Sequence, residues 1–510
     1  MTAAKNGAFV IGLDAGTTCF KAGLYDRDLQ TVAFASETYD LTYTPEGFIE
    51  CNPDAYWDIT CRLVRRLLEE SGVSPAQVQG LSISSQGETL IFLDENGRPL
   101  RPAIVWTDAR AAAEKDRLRE QFPDPVLFEV TGQREMTAGW PAAKWLWVRE
   151  HEPQVAAKTR HLLLLGDYLA YRFTGCFGSS RSLSTSTTYM DIRSGEWWQD
   201  MLDTIALPVE YLPTLCHSTA VIGSLTPTAA AQTGLTTAAR VMGGAMDQAA
   251  GMLGSGNIAA GMVSETTGTC LAVCAHLGAV RPPFEKGHLP IHYGLTDGSY
   301  YAIYWSGAAG SIFRWVRDTF YSELPEDTVY RRMDDDAAAV PPGAEGLTLM
   351  PYLSGINYPF ACDEAKGEIS GLTLFHRRGH FARAVLESVA FLLRQSLDEL
   401  EGYGQETGKM RSLGGGAVSP VWCQIKADMT GQPIYASRRR EETCFGAAVM
   451  AAVGTGLFAD FSAALSLAAA PEIGYMPQNT AAYAPVYAHM QALAETYYAQ
   501  YRDTLPTETA

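Results

Sequence analysis

Phe9-Val10-Ile11-Gly12-Leu13-Asp14-Ala15-Gly16-Thr17-Thr18-Cys19-Phe20-Lys21 is the stretch from which the fold is read. Ala8 to Asp14 is apolar up to its closing carboxylate, Phe20 to Tyr25 resumes the pattern after Gly16-Thr17-Thr18, and Thr31 to Thr38 alternates again. Three short strands joined by turns, a β-meander, are expected. A carboxylate at a strand end, followed by a glycine turn with hydroxyls, also has a chemical reading. Asp14 can place a Mg²⁺-bound water beside backbone N–H donors that suit phosphate oxygens, and Lys21 is close enough in sequence to add a positive charge. Taken alone, the same residues also describe an ordinary hairpin turn.

Working outward, Asn52 can cap a helix, Pro53 suits its first position, and Tyr56, Ile59, Leu63, Val64, Leu67 and Leu68 fall on one face. Val78 to Ser84 reads as a strand, and Asp94-Glu95-Asn96-Gly97 as a hairpin-like turn. This order describes an α/β unit. It restarts near residue 260, where Met262 to Thr266 and Cys270 to Ala275 read as strands around Thr267-Gly268-Thr269. We read this as an internal repeat: one α/β domain followed by its structural relative. Late helices are expected at Phe381 to Glu401, Pro420 to Thr430 and Cys444 to Val453, and a polar, frayed tail from Pro506.

At 510 residues the chain is too long for one ordinary core. We divide it into an N-terminal domain (residues 1–252), a C-terminal domain (253–492) and a tail (493–510). A formal net charge of -18 argues against nucleic acid as a partner. The one basic run, Arg438-Arg439-Arg440, is followed at once by Glu441-Glu442 and reads as a solvated loop. No signal peptide is evident, and apolar stretches such as Leu162 to Leu165 are far too short to span a bilayer. The ten cysteines are scattered without zinc spacing, as expected of reduced thiols in a cytoplasmic protein; Cys270 and Cys274 are the closest pair.

Gly268-Thr269 offers a second phosphate-type turn, and Gly414-Gly415-Gly416-Ala417 precedes a helix start where a backbone can approach a flat ligand. Each is also readable as a plain loop. No Gly-x-x-x-x-Gly-Lys-Ser/Thr stretch exists, which excludes a P-loop enzyme. In Gly243-Gly244-Ala245-Met246-Asp247-Gln248, an acid opens a small-residue helix. Asp247 is either an N-cap or a general base that accepts the proton of a substrate hydroxyl. As a base at a helix N-terminus it is expected to be weak, because the helix field favours its charged form.

These motifs, in this order, resemble the FGGY carbohydrate kinases. Gly139-Trp140-Pro141-Ala142-Ala143-Lys144-Trp145-Leu146-Trp147-Val148-Arg149-Glu150-His151 is similar to that family's first signature. Gly367-Glu368-Ile369-Ser370-Gly371-Leu372, with His380-Phe381 and Ala384-Val385-Leu386-Glu387, is similar to its second. The resemblance runs from about Val10 to about Gly456. It implies an α/β fold of two actin/hexokinase-like (ribonuclease H-like) ATPase domains with a cleft between them. It implies ATP and Mg²⁺, with Asp14 and Asp247 on the metal and Asp247 also as catalytic base. Gly16, Thr17, Thr18, Lys21, Gly268 and Thr269 would serve the phosphates, and Gly415, Gly416 and Ala417 the adenosine.

Most of the chain looks like xylulokinases, including Pro351-Tyr352-Leu353-Ser354-Gly355. Gln86-Gly87-Glu88-Thr89 and Asp247-Gln248 are instead similar to glycerol kinases, whose Arg before the Glu is here Gly87. Gln86, Glu88, Trp106, Asp247 and Gln248 are the expected substrate residues, with Glu88 alternatively a solvated loop carboxylate and Trp106 alternatively a core residue. Losing the Arg opens space for a ketopentose such as xylulose, or a tetritol or pentitol. A glycerol kinase-like activity and a non-catalytic nucleotide or sugar sensor are the alternatives. By the same resemblance a homodimer or homotetramer is expected.

Overall fold

β1 (Phe9–Ala15), β2 (Cys19–Tyr25) and β3 (Thr31–Thr38) form the expected meander, antiparallel throughout, in a computed structural model that describes residues 7–362, 364–439, 441–468 and 472–502. β4 (Val78–Ser85) lies parallel to β1, with Asp14 opposite Ser84. β5 (Val221–Ser224) and β6 (Arg240–Met242) complete the order β5-β6-β4-β1-β2-β3, and the short strand Ala245–Met246 continues along β4. α1 (Pro53–Ser71) packs on β2 and β3. The Asn52 side chain accepts from the Asp54 N–H at its start, as its position before Pro53 suggests. Leu68, at the edge of its apolar face, is only partly buried.

The second sheet repeats the first. β7 (Val263–Thr267), β8 (Leu271–Gly278), β9 (Ile291–Tyr293), β10 (Tyr300–Ser306), β11 (Met410–Leu413), β12 (Ile434–Ser437) and β13 (Glu472–Tyr475) run in the order β9-β10-β8-β7-β11-β12-β13. β7 pairs antiparallel with β8 and parallel with β11, as β1 does with β2 and β4. β11 is parallel to β12 and β12 antiparallel to β13, as β4 is to β6 and β6 to β5. Two equivalent β–turn–β units thus carry Gly16-Thr17-Thr18 and Gly268-Thr269.

The helices close the core. α2 (Pro141–His151) belongs to the first lobe, and α3 (Asp247–Ser255) leaves it. α4 (Gly310–Phe320), α5 (Arg378–Gly402) and α6 (Pro420–Thr430) pack around the second sheet. α7 (Glu442–Gly454) then returns to lie across β1 and β4 and crosses α3. The crossing depends on bare backbone. A Cβ on Gly446 would stand 1.9 Å from the Ala250 carbonyl oxygen, and one on Gly254 1.8 Å from that of Glu442. α8 (Thr480–Arg502) runs across residue 493, the start of the tail drawn from sequence. Arg440 of the basic run and the tail from Pro506 lie outside the described residues. Arg439 of that run is not simply solvated: its guanidinium lies over the Phe445 ring and donates to the Ala468 carbonyl. No helix of the described residues is long and apolar enough to cross a membrane.

One ion pair is wholly enclosed in the second lobe. Lys426 of α6 meets Glu265 of β7 at 2.6 Å, both side chains at 0% exposure, and donates to Thr267 Oγ1 at 2.9 Å. Ser412 of β11 completes the set by donating to Glu265. The pair ties β7, β11 and α6 together under the Gly414–Gly416 turn, where a Cβ on Gly416 would stand 2.6 Å from Thr267 Cβ.

Two stability measurements test these contacts. Gly446→Val is expected to cost about 1–3 kcal/mol or to prevent folding by overpacking. Gly251→Ala, whose Cβ would meet only Thr443 Oγ1 at 3.6 Å, is expected to be neutral or stabilising. Thermal melts of the two variants check the contrast. Lys426→Met leaves Glu265 buried without its cation and is expected to cost about 3–5 kcal/mol in denaturant unfolding; an unchanged midpoint would contradict the pairing.

Candidate active site

Asp14 is the penultimate residue of β1, and its carboxylate accepts from Ser84 Oγ of the parallel neighbour at 3.4 Å. Asp247 opens α3, and its Oδ1 accepts from the Gln248 N–H at 2.7 Å. Both reach one cavity of about 120 Å³ between the lobes. Gly16, Gln248, Gly251 and Met252 line it from the first half, and Ser264, Thr266, Cys274, Leu413 and Thr443 from the second. Thr266 and Leu413 are the strand ends next to the two glycine turns of the second lobe. A larger groove of about 630 Å³ lies against Asn52, Asp54, Arg101 and Arg172, but Arg101 and Arg172 are already paired with Glu50, Glu152 and Asp54, and it contains neither central aspartate.

Burial, together with the nearby Asp247, pushes the Asp14 carboxyl up to about 7, while Lys21 pulls the other way. Burial likewise pushes Asp247 up to about 7, helped by Glu88. This corrects the expectation of a weak base at a helix terminus. The Gln248 N–H does favour the charged form, but removal from water and a second carboxylate outweigh one backbone donor.

Four of the remaining expected residues, Gly16, Thr17, Gln86 and Trp106, form a connected set. The Trp106 indole donates to Thr17 Oγ1 at 2.8 Å, and Thr17 donates to Gln86 Oε1 at 3.4 Å. Thr89 donates to the same Gln86 oxygen at 3.2 Å. Tyr39 donates to the Gly16 carbonyl at 2.9 Å and accepts from Gln86. The first glycine turn is therefore wired to the wall that holds Trp106 and Gln86. Thr18 is exposed on the turn. Gln248 Oε1 accepts from Cys274 Sγ at 3.6 Å, across the lobes. The Gly268-Thr269 turn is held from outside: Gly310 N and Ser311 N at the start of α4 donate to the Gly268 and Thr269 carbonyls. Gly414, at φ +74, and Gly416 run close over Thr267, with Gly415 between them and Ala417 leading on to α6. Lys21 is not free beside the turn. Its Nζ pairs with Glu441 Oε2 at 2.8 Å, joining β2 to the start of α7.

Glu88 is not a solvated loop carboxylate. It is partly buried at φ +44, and burial pushes its carboxyl up while Ser186 and Lys144 hold it down. Four residues absent from the sequence reading of the site thus belong to it or support it: Lys144, Ser186, Glu265 and Lys426. Ser186 lies in Ser179-Ser180-Arg181-Ser182-Leu183-Ser184-Thr185-Ser186-Thr187-Thr188, where every Ser and Thr is buried. That density of hydroxyls was a usable signal, as was a lone lysine in the otherwise apolar Pro141–Trp147 turn. Glu265 and Lys426 are 161 residues apart, and nothing local marks them as partners.

Comparison with known proteins agrees with this geometry. The model for the N-terminal domain of the FGGY family of carbohydrate kinases matches residues 9–254, and that for its C-terminal domain matches residues 261–455. The xylulose kinase of Bacillus subtilis (strain 168) is 31% identical over 451 residues, covering 88% of this chain and 89% of that one. The L-xylulose/3-keto-L-gulonate kinase of Escherichia coli (strain K12) is 28% identical over 475 residues, covering 92% and 93%. The crystal structure of xylulose kinase from Rhodospirillum rubrum superposes with a TM-score of 0.89 at 29% identity, covering 97% of this chain and 100% of that one. Two repeated lobes, an acid-lined cleft and both domain models lead to one assignment: the chain belongs to the FGGY family of carbohydrate kinases and is a phosphotransferase with an alcohol group as acceptor.

Proposed function

We propose that the protein transfers the γ-phosphoryl group of ATP to a hydroxyl of a ketopentose such as xylulose, or of a tetritol or pentitol. The observation that carries the reading is the convergence of Asp14 and Asp247, from different elements, on one cavity between the lobes. In this reading residues 1–252 bind the acceptor and supply the base, and residues 253–492 bind the nucleotide. The ten unbridged cysteines suit a reducing, cytoplasmic setting.

Asp247 takes the acceptor's proton as the phosphoryl group moves. Asp14 and Asp247 suit Mg²⁺: two mutually repelling carboxylates in one enclosed space are a hard oxygen donor set that a divalent cation would relieve. When bound, the metal would neutralise charge on the phosphates. Gly16, Thr18, Gly268 and Thr269 offer backbone and hydroxyl donors to phosphate oxygens. Thr17 supports its turn by its bonds to Trp106 and Gln86. Lys21 would add its charge only by exchanging Glu441 for phosphate. Gly415, Gly416 and Ala417 leave room for a flat base.

Glu88, Gln248, Gln86 and Trp106 would grip the acceptor's hydroxyls and carbon chain. At Gly87 a Cβ would stand 3.0 Å from Ser186 Oγ and 3.5 Å from Met246 Sδ, so a hydroxyl and a sulfur border the space. A neutral polyhydroxy acceptor suits such a border. The names of the relatives, xylulose kinase and L-xylulose/3-keto-L-gulonate kinase, favour a ketose over glycerol.

The deciding experiment measures ADP release by the purified protein with Mg-ATP against glycerol, tetritols, pentitols, ketopentoses, ketohexoses and aldonates. The highest kcat/KM is expected on a ketopentose. ATP binding without ADP release across the whole panel would favour the sensor instead. Asp247→Asn is expected to lower kcat by about 10²–10⁴-fold with an unchanged melt, and near-normal turnover would remove Asp247 from the role of base. Asp14→Ala is expected to shift the magnesium titration of activity to higher concentration; an unaltered titration would contradict its assignment.

A further inference from the structure

α2 carries one charge into the interior of the first lobe. Lys144 is completely buried, on a helical turn otherwise made of Pro141, Ala142, Ala143 and Trp145. Its Nζ donates to the carbonyls of Val105 at 2.9 Å, Glu88 at 3.2 Å and Trp106 at 3.4 Å. An ammonium has three protons, and three carbonyls from two separate segments take them. Burying a lysine against neutral oxygens is a costly way to fill a core, since a methionine would pack there without losing hydration.

Both segments have a special conformation. In the first, Glu88 sits at φ +44 and the Thr89 N–H bonds back to the Gly87 carbonyl, a three-residue turn that a side-chain-bearing residue adopts only when its surroundings hold it. The second leads into Trp106, whose N–H donates to Thr89 Oγ1 and whose indole donates to Thr17. Beyond it Asp108 and Arg110 anchor the loop, Asp108 by accepting from Ile49 N and Arg110 by pairing with Asp108 over the Phe48 ring. Lys144 grips the other end of the loop, at the carbonyls of Val105 and Trp106.

We propose that Lys144 is a positioning residue of the acceptor site, a buried post that sets the spacing of the Glu88 carboxylate and the Trp106 indole before any acceptor arrives. The inference rests on the reading of Glu88 and Trp106 as acceptor walls. Without the post, Glu88 relaxes out of its turn and Trp106 moves independently. The acceptor hydroxyl is then held loosely, the nucleotide side is affected only through the Trp106–Thr17 bond, and water competes for the phosphoryl group.

The test compares wild type, Lys144→Met, Lys144→Gln and Glu88→Gln with Mg-ATP and D-xylulose, measuring both ADP and sugar phosphate. For Lys144→Met the KM for D-xylulose is expected to rise by about tenfold or more, the equivalent of one lost hydrogen-bonded contact. The KM for ATP should change by less than that for D-xylulose, because only the Trp106–Thr17 bond reaches the phosphate turn, and ADP should form in excess of sugar phosphate. The Gln variant, which keeps two donors, should fall between. A loss of kcat alone with ADP and sugar phosphate still equal, or no change, overturns the proposal. Glu88→Gln separates the two readings: if it leaves the D-xylulose KM unchanged, the acceptor assignment of Glu88 fails. If it raises that KM while Lys144→Met does not, only the role of Lys144 fails. Hydrogen exchange on the wild type covers the case in which the variants do not fold or D-xylulose is not turned over. Slow amide exchange at residues 86–89 and 105–107 without acceptor supports a pre-set wall, and fast exchange there overturns it.

Discussion

The close crossing of α3 and α7 is the constraint on which the rest of the molecule depends. Glycines at Gly254 and Gly446 let two helix backbones approach to a distance that any side chain would forbid. Because α3 begins with Asp247 and α7 lies across β1, near whose end Asp14 sits, this contact and β4, which pairs with both β1 and Ala245–Met246, together set how far apart the two carboxylates sit. A third close approach, where a Cβ on Gly12 would stand 1.9 Å from the Cys444 carbonyl oxygen, seats α7 on β1 itself. Packing without side chains is rigid in separation, which suits a site whose chemistry depends on placement more than on reactivity.

Around that frame the two lobes handle charge differently. In the second lobe a buried cation and anion satisfy each other beneath the glycine turn, so Glu265 and Lys426 are structural and internally balanced. In the first lobe burial raises the proton affinity of three carboxylates, Asp14, Glu88 and Asp247; Asp247 adds to the effect on Asp14 and Glu88 to that on Asp247, while Lys144 offsets Glu88. The surplus of negative charge is left where a divalent ion and a reacting hydroxyl would each lower its energy. An imbalance of this kind costs stability in the empty protein and is retained where binding restores the balance.

Much of this was legible from residue order. The meander, α1 with its Asn52 cap and the repeat beginning near residue 260 follow from short-range patterns, because apolar periodicity, caps and glycine turns act within a few residues. α6 at Pro420–Thr430 and β3 at Thr31–Thr38 match their expected bounds for the same reason. The glycine turns and Asp247 were visible as motifs, but their meeting in a cleft was reached through the family resemblance. What local patterns did not carry is pairing over distance: Lys21 with Glu441, Glu265 with Lys426, and Lys144 with Glu88 and Trp106. The protonation of Asp247 was misjudged for a related reason. The helix terminus is a local feature, whereas burial and the field of Glu88 are products of the whole fold.

The return of α7 to the first sheet has a consequence for biogenesis. β1 leaves the ribosome early, yet the helix that covers it is encoded more than four hundred residues later. At a synthesis rate of about 5–20 residues per second, roughly 10–40 s separate the emergence of Asp247 from that of Gly446. Throughout that interval one face of the nascent sheet, Val10 and its neighbours, stays uncovered and offers a docking surface to holdase chaperones. Slower translation would lengthen that exposure.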